Sequence, residues 1–410
     1  MTIETTITEK GTSLAAPASA RGTTQNGVRL YNERLVLSLI RQYGQLPKAE
    51  LARLTSLSAQ TVSVIVRQLE KDKLVFKGTP QRGKVGQPLT PFMLNPDGAF
   101  SIGLKVGRRS GDLLLLDLTG KVRGKVYKPY QFPAPQELLS FVATSLEELL
   151  SGLSPSQRKN ISGLGIAAPF ELWNWEEATG APSAVTQAWR NFDLAAELGK
   201  LVPWPVHYCN DATAACAAEL LFGVGAKHRH YAYFYVGYFV GGGVVINGHI
   251  FQGHSGYAGA VGPLPIFVEG KKPQQLLHHA SLYVLEKQLA AAGLDHMILA
   301  KFPDDWTGIE KYLDPWIAQT AKNLAYASVA SMSVIDFKAI IIDGAMPSHV
   351  RADLVARTRL ALQELDTRGL PKFTIEEGSI GTDARAMGAA SLPLFANFII
   401  DRDVLFKEAV

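Results

Sequence analysis

The stretch Ser101–Tyr127, "SIGLKVGRRSGDLLLLDLTGKVRGKVY", decides how the larger part of the chain folds. Its apolar runs on either side of "RRSG" read as a strand pair joined by a turn. Downstream, "PQELLSFVATSLEELLSGL" (Pro135–Leu153) has the spacing of an amphipathic helix, and "ISGLGIAAP" (Ile161–Pro169) reads as a buried strand. A hairpin followed by alternating helix and strand predicts a mixed α/β sheet domain.

Further along, "VHYCNDATAACAAELLFG" (Val206–Gly223) is a strand running into a helix and opens a second unit. That unit contains the Gly-rich segment "VGYFVGGGVVINGHIFQGHSGYAGAVGPLP" (Val236–Pro265) and ends in "AIIIDGAMP" (Ala339–Pro347) and "TIEEGSIGTDARAMGAASLPLFANF" (Thr374–Phe398), the latter a strand, turn and long helix. The order predicts two similar lobes around a cleft. Within the Gly-rich segment, Ser255–Pro265 holds three glycines and no charged side chain, a composition suited to bringing backbone close to a ligand.

Upstream, the charge balance changes. Residues 1–97 carry 13 Lys and Arg against 7 Asp and Glu, which leaves 28 against 30 for the remainder and points to a basic N-terminal module with an acidic partner. "NERLVLSLIRQYG" (Asn32–Gly44) places Leu35, Leu39 and Ile40 on one helical face, and "LPKAELARLT" (Leu46–Thr55) starts with Pro47 at its first helical position. In "SLSAQTVSVIVRQLEKD" (Ser56–Asp72), Ser58 is a good N-cap and Val62, Ile65, Val66 and Leu69 recur at helical spacing, predicting an inward face. The opposite face offers Gln60, Thr61, Ser63, Val64, Arg67 and Gln68, whose amides and hydroxyls suit base edges and whose apolar groups suit thymine methyls. Two helices joined by a tight turn predict a helix-turn-helix. The basic loop "QRGKVGQP" (Gln81–Pro88) between two strands predicts a wing, with Arg82, Lys84 and Gln87 set to meet phosphates or a narrow minor groove; a solvated hairpin is the plainer alternative.

At 410 residues, with 47% hydrophobic and 19% charged residues, the chain has an ordinary soluble composition and room for two or three domains. The longest apolar run, "YAYFYVGYFVGGGVVI" (Tyr231–Ile246), is too short for a bilayer span and is broken by glycines, so no membrane segment is expected. The opening residues are rich in Thr, Ser and Ala without an apolar core, which reads as a mobile tail rather than a signal peptide. Cys209 and Cys216, with no histidines at zinc spacing, read as reduced core residues of a cytoplasmic protein.

The join of a winged helix to "NDATAACAAE", "GGGVVINGHIFQGHSGYAG" and a terminal "GTDARAMGAA" helix resembles the regulator branch of the ROK family (repressors, open reading frames and sugar kinases), from about Arg21 onward. The resemblance implies a winged helix-turn-helix joined to a two-lobed, actin-like α/β fold of the sugar kinase/ribonuclease H-like kind, with sugar bound between the lobes. The expected organisation is a tail over 1–27, the winged helix over 28–97, lobe 1 over 98–212 with the C-terminal helix at about 384–410, and lobe 2 over 213–383.

In ROK kinases the base is the Asp of an "ND" pair, matched here by Asn210 and Asp211. The family's D-x-G-G-T phosphate loop is matched by "LKVGRRSG" (Leu104–Gly111), where Lys105 replaces the Asp and Arg108 and Arg109 replace Gly-Thr. Side-chain arginines crowd a turn that must offer bare backbone to phosphates. The family's E-x-G-H falls on Ala260, Val261, Gly262 and Pro263, so its sugar-binding Glu and zinc-binding His are gone. "KKPQQLLHHAS" (Lys271–Ser281) lacks the zinc loop's cysteines and has Leu277 where the following Glu belongs; His278 and His279, about 100° apart on a helix, do not share one metal easily. Neither metal nor other cofactor is expected, and no catalysis.

For the effector pocket, the resemblance assigns Asn210 and Asp211, with a helix-capping turn as the plainer reading of the pair. His254 and Tyr257 are candidates to replace the lost Glu and His, or are simply packed. "PFELWNWEEATGAPSAVTQAWRNF" (Pro169–Phe192) matches the region reaching over the sugar, making Trp173, Trp175, Glu176, Gln187 and Trp189 candidate lid residues, of which one tryptophan is expected to touch ligand. The resulting expectation is a repressor whose winged helix binds double-stranded operator DNA and whose degenerate kinase domain senses a sugar, sugar derivative or polyol. A homodimer or homotetramer on a palindromic operator is implied. The rivals are an ATP-dependent sugar kinase and a regulator gated by a protein partner.

Overall fold

The computed structural model describes residues 24–80, 89–170, 172–175, 180–267, 270 and 272–400. They divide into two compact units, the smaller holding 24–71, 77–80, 89–93 and 398–400, the larger 72–76 and 94–397.

In the smaller unit α1 (Gln25–Tyr43) begins well before the expected Asn32, because Thr24 Oγ1 accepts a hydrogen bond from Gly27 N at 3.0 Å and caps it. The expected tail is therefore too long by three residues, Gln25–Gly27 being helical. The helix buries Val36, Leu37 and Ile40, whereas Leu35 and Leu39 are only half-buried. Positions 36 and 37 each share a face with 40, and the core takes that stripe. After β1 (Gln45–Pro47) come α2 (Lys48–Thr55) and α3 (Ala59–Lys71). Pro47 sits at the N-cap of α2, one place earlier than expected, and Ser56 turns the chain between the two helices with φ 58°. Helix α3 buries Val62, Ile65, Val66 and Leu69, the four positions predicted from spacing; such burial contributes about 1.5–3 kcal/mol per large aliphatic side chain. Strands β2 (Val75–Lys77) and β3 (Pro91–Leu94) complete a sheet of order β1-β3-β2, with Leu46 opposite Phe92. Arg82, Lys84 and Gln87, the expected wing contacts, lie outside the described residues.

The larger unit is built on two five-stranded sheets. The first comprises β4 (Phe100–Val106), β5 (Ser110–Asp117), β6 (Val122–Pro129), β7 (Ile161–Ala168) and β8 (Val206–Asn210), with helices α4 (Pro135–Leu150) and α5 (Leu194–Leu201) between strands. The expected strand pair is thus three antiparallel strands: Asp117 Oδ1 accepts from Thr119 N at 2.9 Å and fixes a second turn that starts β6. Helix α6 (Asp211–Phe222) leads to the second sheet, β9 (Tyr231–Val236), β10 (Val240–Ile246) and β11 (His249–Phe251), then β14 (Ala339–Gly344) and β15 (Thr374–Glu377). The short pair β12 (Pro265–Ile266) and β13 (Gln274–Gln275), and helices α7 (Leu282–Ala291), α8 (Glu310–Met332) and α9 (Ser348–Gln363), lie along the same course, and α10 (Ala384–Phe398) ends it.

The strand orders β6-β5-β4-β7-β8 and β11-β10-β9-β14-β15 are the same topology twice. In each, the first strand is central, two antiparallel strands follow on one side, and two parallel strands reached by crossovers lie on the other. The β10–β11 hairpin turns on Asn247 and Gly248, with φ of 57° and 79°, the pair favoured for such two-residue turns. Close approach also selects glycine: a Cβ on Gly165 of β7 would lie 1.8 Å from Ala389 O of α10, and one on Gly388 would lie 1.8 Å from Ala214 O of α6. Helix α10 is thereby seated against the first sheet and against α6, where the two lobes meet.

Candidate DNA-binding face and ligand cleft

On α3 the inward stripe leaves Gln60, Thr61, Val64 and Arg67 exposed and Ser63 half-buried. Val64, 59% exposed, is an apolar residue on a solvent face, the kind of group that meets thymine methyls. Ser58 caps the helix, its Oγ accepting from Thr61 N at 3.1 Å and lying 2.8 Å from Thr61 Oγ1. The candidates therefore occupy the N-terminal half and outer face of one helix.

In the larger unit, β8 ends and α6 begins at Asn210–Asp211. Asn210 Oδ1 accepts from Ala212 N at 3.1 Å and Thr213 N at 3.4 Å, so its amide caps α6 and fixes the position of the neighbouring carboxylate. Asp211 Oδ2 accepts from Arg385 Nη1 of α10 at 3.2 Å, in a pair whose side chains are 14% and 11% exposed. Arg385 in turn lies over the Tyr235 ring at 5.1 Å.

Three sequence-distant aromatics meet nearby. The Phe170 ring, just past β7, lies 4.9 Å from Tyr257 and 6.3 Å from Tyr208, two residues before Asn210. Tyr257 is half exposed, and burial pushes the Tyr208 hydroxyl up to about 12, with the Asp211 charge adding to the shift. Phe170 and Tyr208 are absent from the sequence expectation: one lies two residues beyond β7 and the other within β8, and no local pattern marks either.

The other candidates fare differently. Trp189 is a correction: it is buried in the lobe 1 core against Phe192, and its Nε1 donates to Pro133 O at 2.7 Å, so both its ring and its polar atom are used internally. Trp173 also packs against that core. Gln187, at the end of a short helix, and His254 are exposed. Glu176 and the side chain of Trp175 lie outside the described residues.

Beside Arg385, the partner of Asp211, the cleft holds a cavity of about 70 Å³ walled by the turn between β4 and β5 and by residues of both lobes. Lys105 Nζ lies 2.6 Å from Asp112 Oδ2 and 2.5 Å from Ser110 Oγ, all buried. Burial holds the Lys105 ammonium down at about 8, the Asp112 charge opposing it. Arg109 forms a fork with Glu286 of α7, Nη2–Oε1 2.6 Å and Nε–Oε2 3.1 Å, and donates from Nη2 to Tyr238 Oη at 3.2 Å. Arg108 lies over the Phe239 ring at 4.3 Å, and burial lowers its guanidinium to about 10. Lys125 pairs with Asp383, and Tyr127 Oη donates to Ala300 O. These bonds join lobe 1 to lobe 2, so the turn expected to be crowded by arginines fastens the lobes together. Among the described residues, no group of three His, Cys, Asp or Glu side chains is placed to hold a metal ion.

A family model for ROK matches residues 101–274, and one for winged helix-turn-helix DNA-binding domains matches residues 29–75. The chain carries a ROK-family domain behind a winged helix-turn-helix. Its N-terminal unit is a winged helix-turn-helix, and its larger unit has the two-lobed ROK sugar-kinase fold. The xylose repressor of Bacillus subtilis (strain 168) is 26% identical over 248 residues, 60% of this chain and 64% of that protein's length. The crystal structure of a ROK family transcriptional regulator, a homologue of the E. coli MLC protein, superposes with a TM-score of 0.65 at 20% identity over 93% of this chain and 98% of its own. A ROK family glucokinase from Streptomyces griseus, solved with glucose and AMPPNP, superposes with a TM-score of 0.57 at 18% identity, covering 72% of this chain and 99% of the glucokinase. No helix among the described residues is long and apolar enough to cross a membrane.

Proposed function

We propose that this ROK protein is a cytoplasmic transcriptional repressor that releases operator DNA in response to a sugar or sugar-like ligand. The observation that carries the reading is the division of α3, with Val62, Ile65, Val66 and Leu69 inward and Gln60, Thr61, Val64 and Arg67 outward, on a chain whose larger unit is a ROK domain. Similarity to a xylose repressor supports it. Asp211 is the hydroxyl acceptor in the cleft, and Tyr257, Phe170 and Tyr208 supply apolar faces for the ligand's C–H surface. The pocket binds without turnover: Lys105 stands where the kinases carry a carboxylate and is tied to Asp112, and the adjoining turn presents two arginine side chains. A symmetric dimer or tetramer places two recognition helices on a palindromic site.

The test is a fluorescence-polarisation titration on DNA from upstream of the protein's own gene, repeated with sugars, sugar phosphates and polyols. The expected result is that one compound weakens operator binding at least tenfold, about 1.4 kcal/mol of coupling. Tight operator binding indifferent to every compound would favour gating by a protein partner. Phosphoryl transfer from ATP to a panel sugar would instead establish the kinase reading.

A further inference from the structure

We propose that the ligand is an aryl glycoside, its sugar on Asp211 and its aromatic aglycone in the corner formed by Phe170, Tyr208 and Tyr257; the proposal rests on the sugar-binding reading above. The Phe170 ring is 18° from parallel with that of Tyr208 at 6.3 Å, and tilted 60° from that of Tyr257 at 4.9 Å. Tyr208 and Tyr257 are 46% and 50% exposed, whereas the rings in the other aromatic pairs among the described residues are buried or half-buried. An exposed apolar cluster at the edge of a polar site is where the apolar part of a ligand settles. The loop that carries Tyr257 is fitted to the corner. Gly256 has φ 81°, and a Cβ there would lie 3.7 Å from the Phe170 ring, so backbone rests against that ring and sets Tyr257 beside it.

Tyr208 stands two residues before Asn210 on β8, on the same strand face, which puts the corner at the edge of the Asp211 site. Asp211 Oδ2 is held by Arg385, and Oδ1 makes no hydrogen bond among the described residues, so one carboxylate oxygen is left to accept from a sugar hydroxyl. Beyond that carboxylate the chemistry changes. Ser255–Ala260 holds no charged and no amide side chain, and the three rings contribute two hydroxyls but no fork of donors or acceptors for paired sugar hydroxyls. A second sugar ring would bring hydroxyls that this corner leaves unpaired, at the cost of lost hydrogen bonds to water. A phenyl ring brings none, and the parallel and tilted faces offer it both offset-stacked and edge-to-face contacts. Two ring systems also match the row better than one, since successive centroids are spaced as neighbouring rings of a stack and a single pyranose covers one face.

The experiment is isothermal titration of the full chain with the methyl and phenyl β-glycosides of D-glucose and D-xylose, cellobiose, xylobiose and phenol. For at least one of the two sugars the phenyl glycoside is expected to bind about tenfold tighter than the methyl glycoside and the disaccharide, a ratio that falls toward one in Tyr257→Ala. Equal affinity of phenyl and methyl glycosides, or a disaccharide tighter than the phenyl glycoside, overturns the aglycone site and leaves the sugar reading standing. Phenol binding as tightly as the phenyl glycosides shows that the sugar contributes nothing, and overturns the sugar reading together with this one. Binding by none of the probes overturns the aryl glycoside and leaves the sugar reading to the operator titration above. A ratio unchanged in Tyr257→Ala removes the aglycone from this corner. Saturation-transfer NMR on the unmodified protein is independent of the variant's folding: the phenyl protons must receive saturation along with those of the sugar, and saturation confined to the sugar overturns the contact.

Discussion

Asp211 and Arg385 show how one side chain's role depends on a partner 174 residues away. Removing the carboxylate leaves a guanidinium buried without its counter-charge, so Asp211→Ala is expected to destabilise the larger unit by about 3–5 kcal/mol, read as a fall in urea midpoint at unchanged slope. Asp211→Asn keeps an acceptor for Arg385. It should retain operator affinity and lose the ligand response, and normal induction in this variant would place the ligand elsewhere. The "ND" pair was visible in the sequence because its residues are adjacent. Arg385, Glu286 and Phe170 were not, since no local spacing reports a contact made across two lobes. Trp189 was misassigned for a related reason: an aromatic in a lid segment carries no sign of which way its ring turns, and Pro133 O settles that only in three dimensions.

At the level of elements, periodicity was the reliable guide where one face was buried. Helix α3 followed its apolar spacing at all four core positions, and the polar remainder became the exposed face. Within it, Ser58→Ala removes the bond to Thr61 N and should cost about 1 kcal/mol of stability in the smaller unit. Gln60→Ala should relax preference at one base pair by about 1–3 kcal/mol, measured as affinity across single-base operator variants; equal loss on every sequence would mean that Gln60 reads no base edge. Helix α1 and strand β6 show where periodicity fell short. The start of α1 depends on the Thr24 cap rather than on apolar residues, and β6 is half-exposed with a mixed pattern, so its existence follows from the Asp117 turn and pairing with β5. Helix α10 is positioned by absence of side chain. Gly165→Ala would place a methyl 1.8 Å from Ala389 O and must push α10 off the sheet, a change expected to exceed the usual 1–3 kcal/mol of overpacking.

For the whole molecule, the repeated sheet topology supplies two lobes, and the bonds from Arg109, Lys125 and Tyr127 hold them in a defined arrangement. A ligand alters DNA binding only through a difference in its affinity for the arrangements available to the protein, and a ligand indifferent to lobe closure changes nothing however tightly it binds. Arg109→Gln removes the Glu286 fork without touching Asp211, so it should shift the lobe equilibrium while leaving the proposed sugar contacts in place. The expected signature is a changed ligand affinity accompanied by a changed operator affinity in the absence of ligand. Linkage makes the sign checkable. If a ligand weakens operator binding tenfold, saturating operator DNA must weaken the ligand tenfold, since both report one coupling free energy. Titrating ligand into the protein with and without saturating operator measures that factor directly. In Arg109→Gln the two factors must still agree with each other while both move from the unmodified value. Equal coupling in the variant and the unmodified protein would show that closure through Arg109 is not the motion that carries the signal.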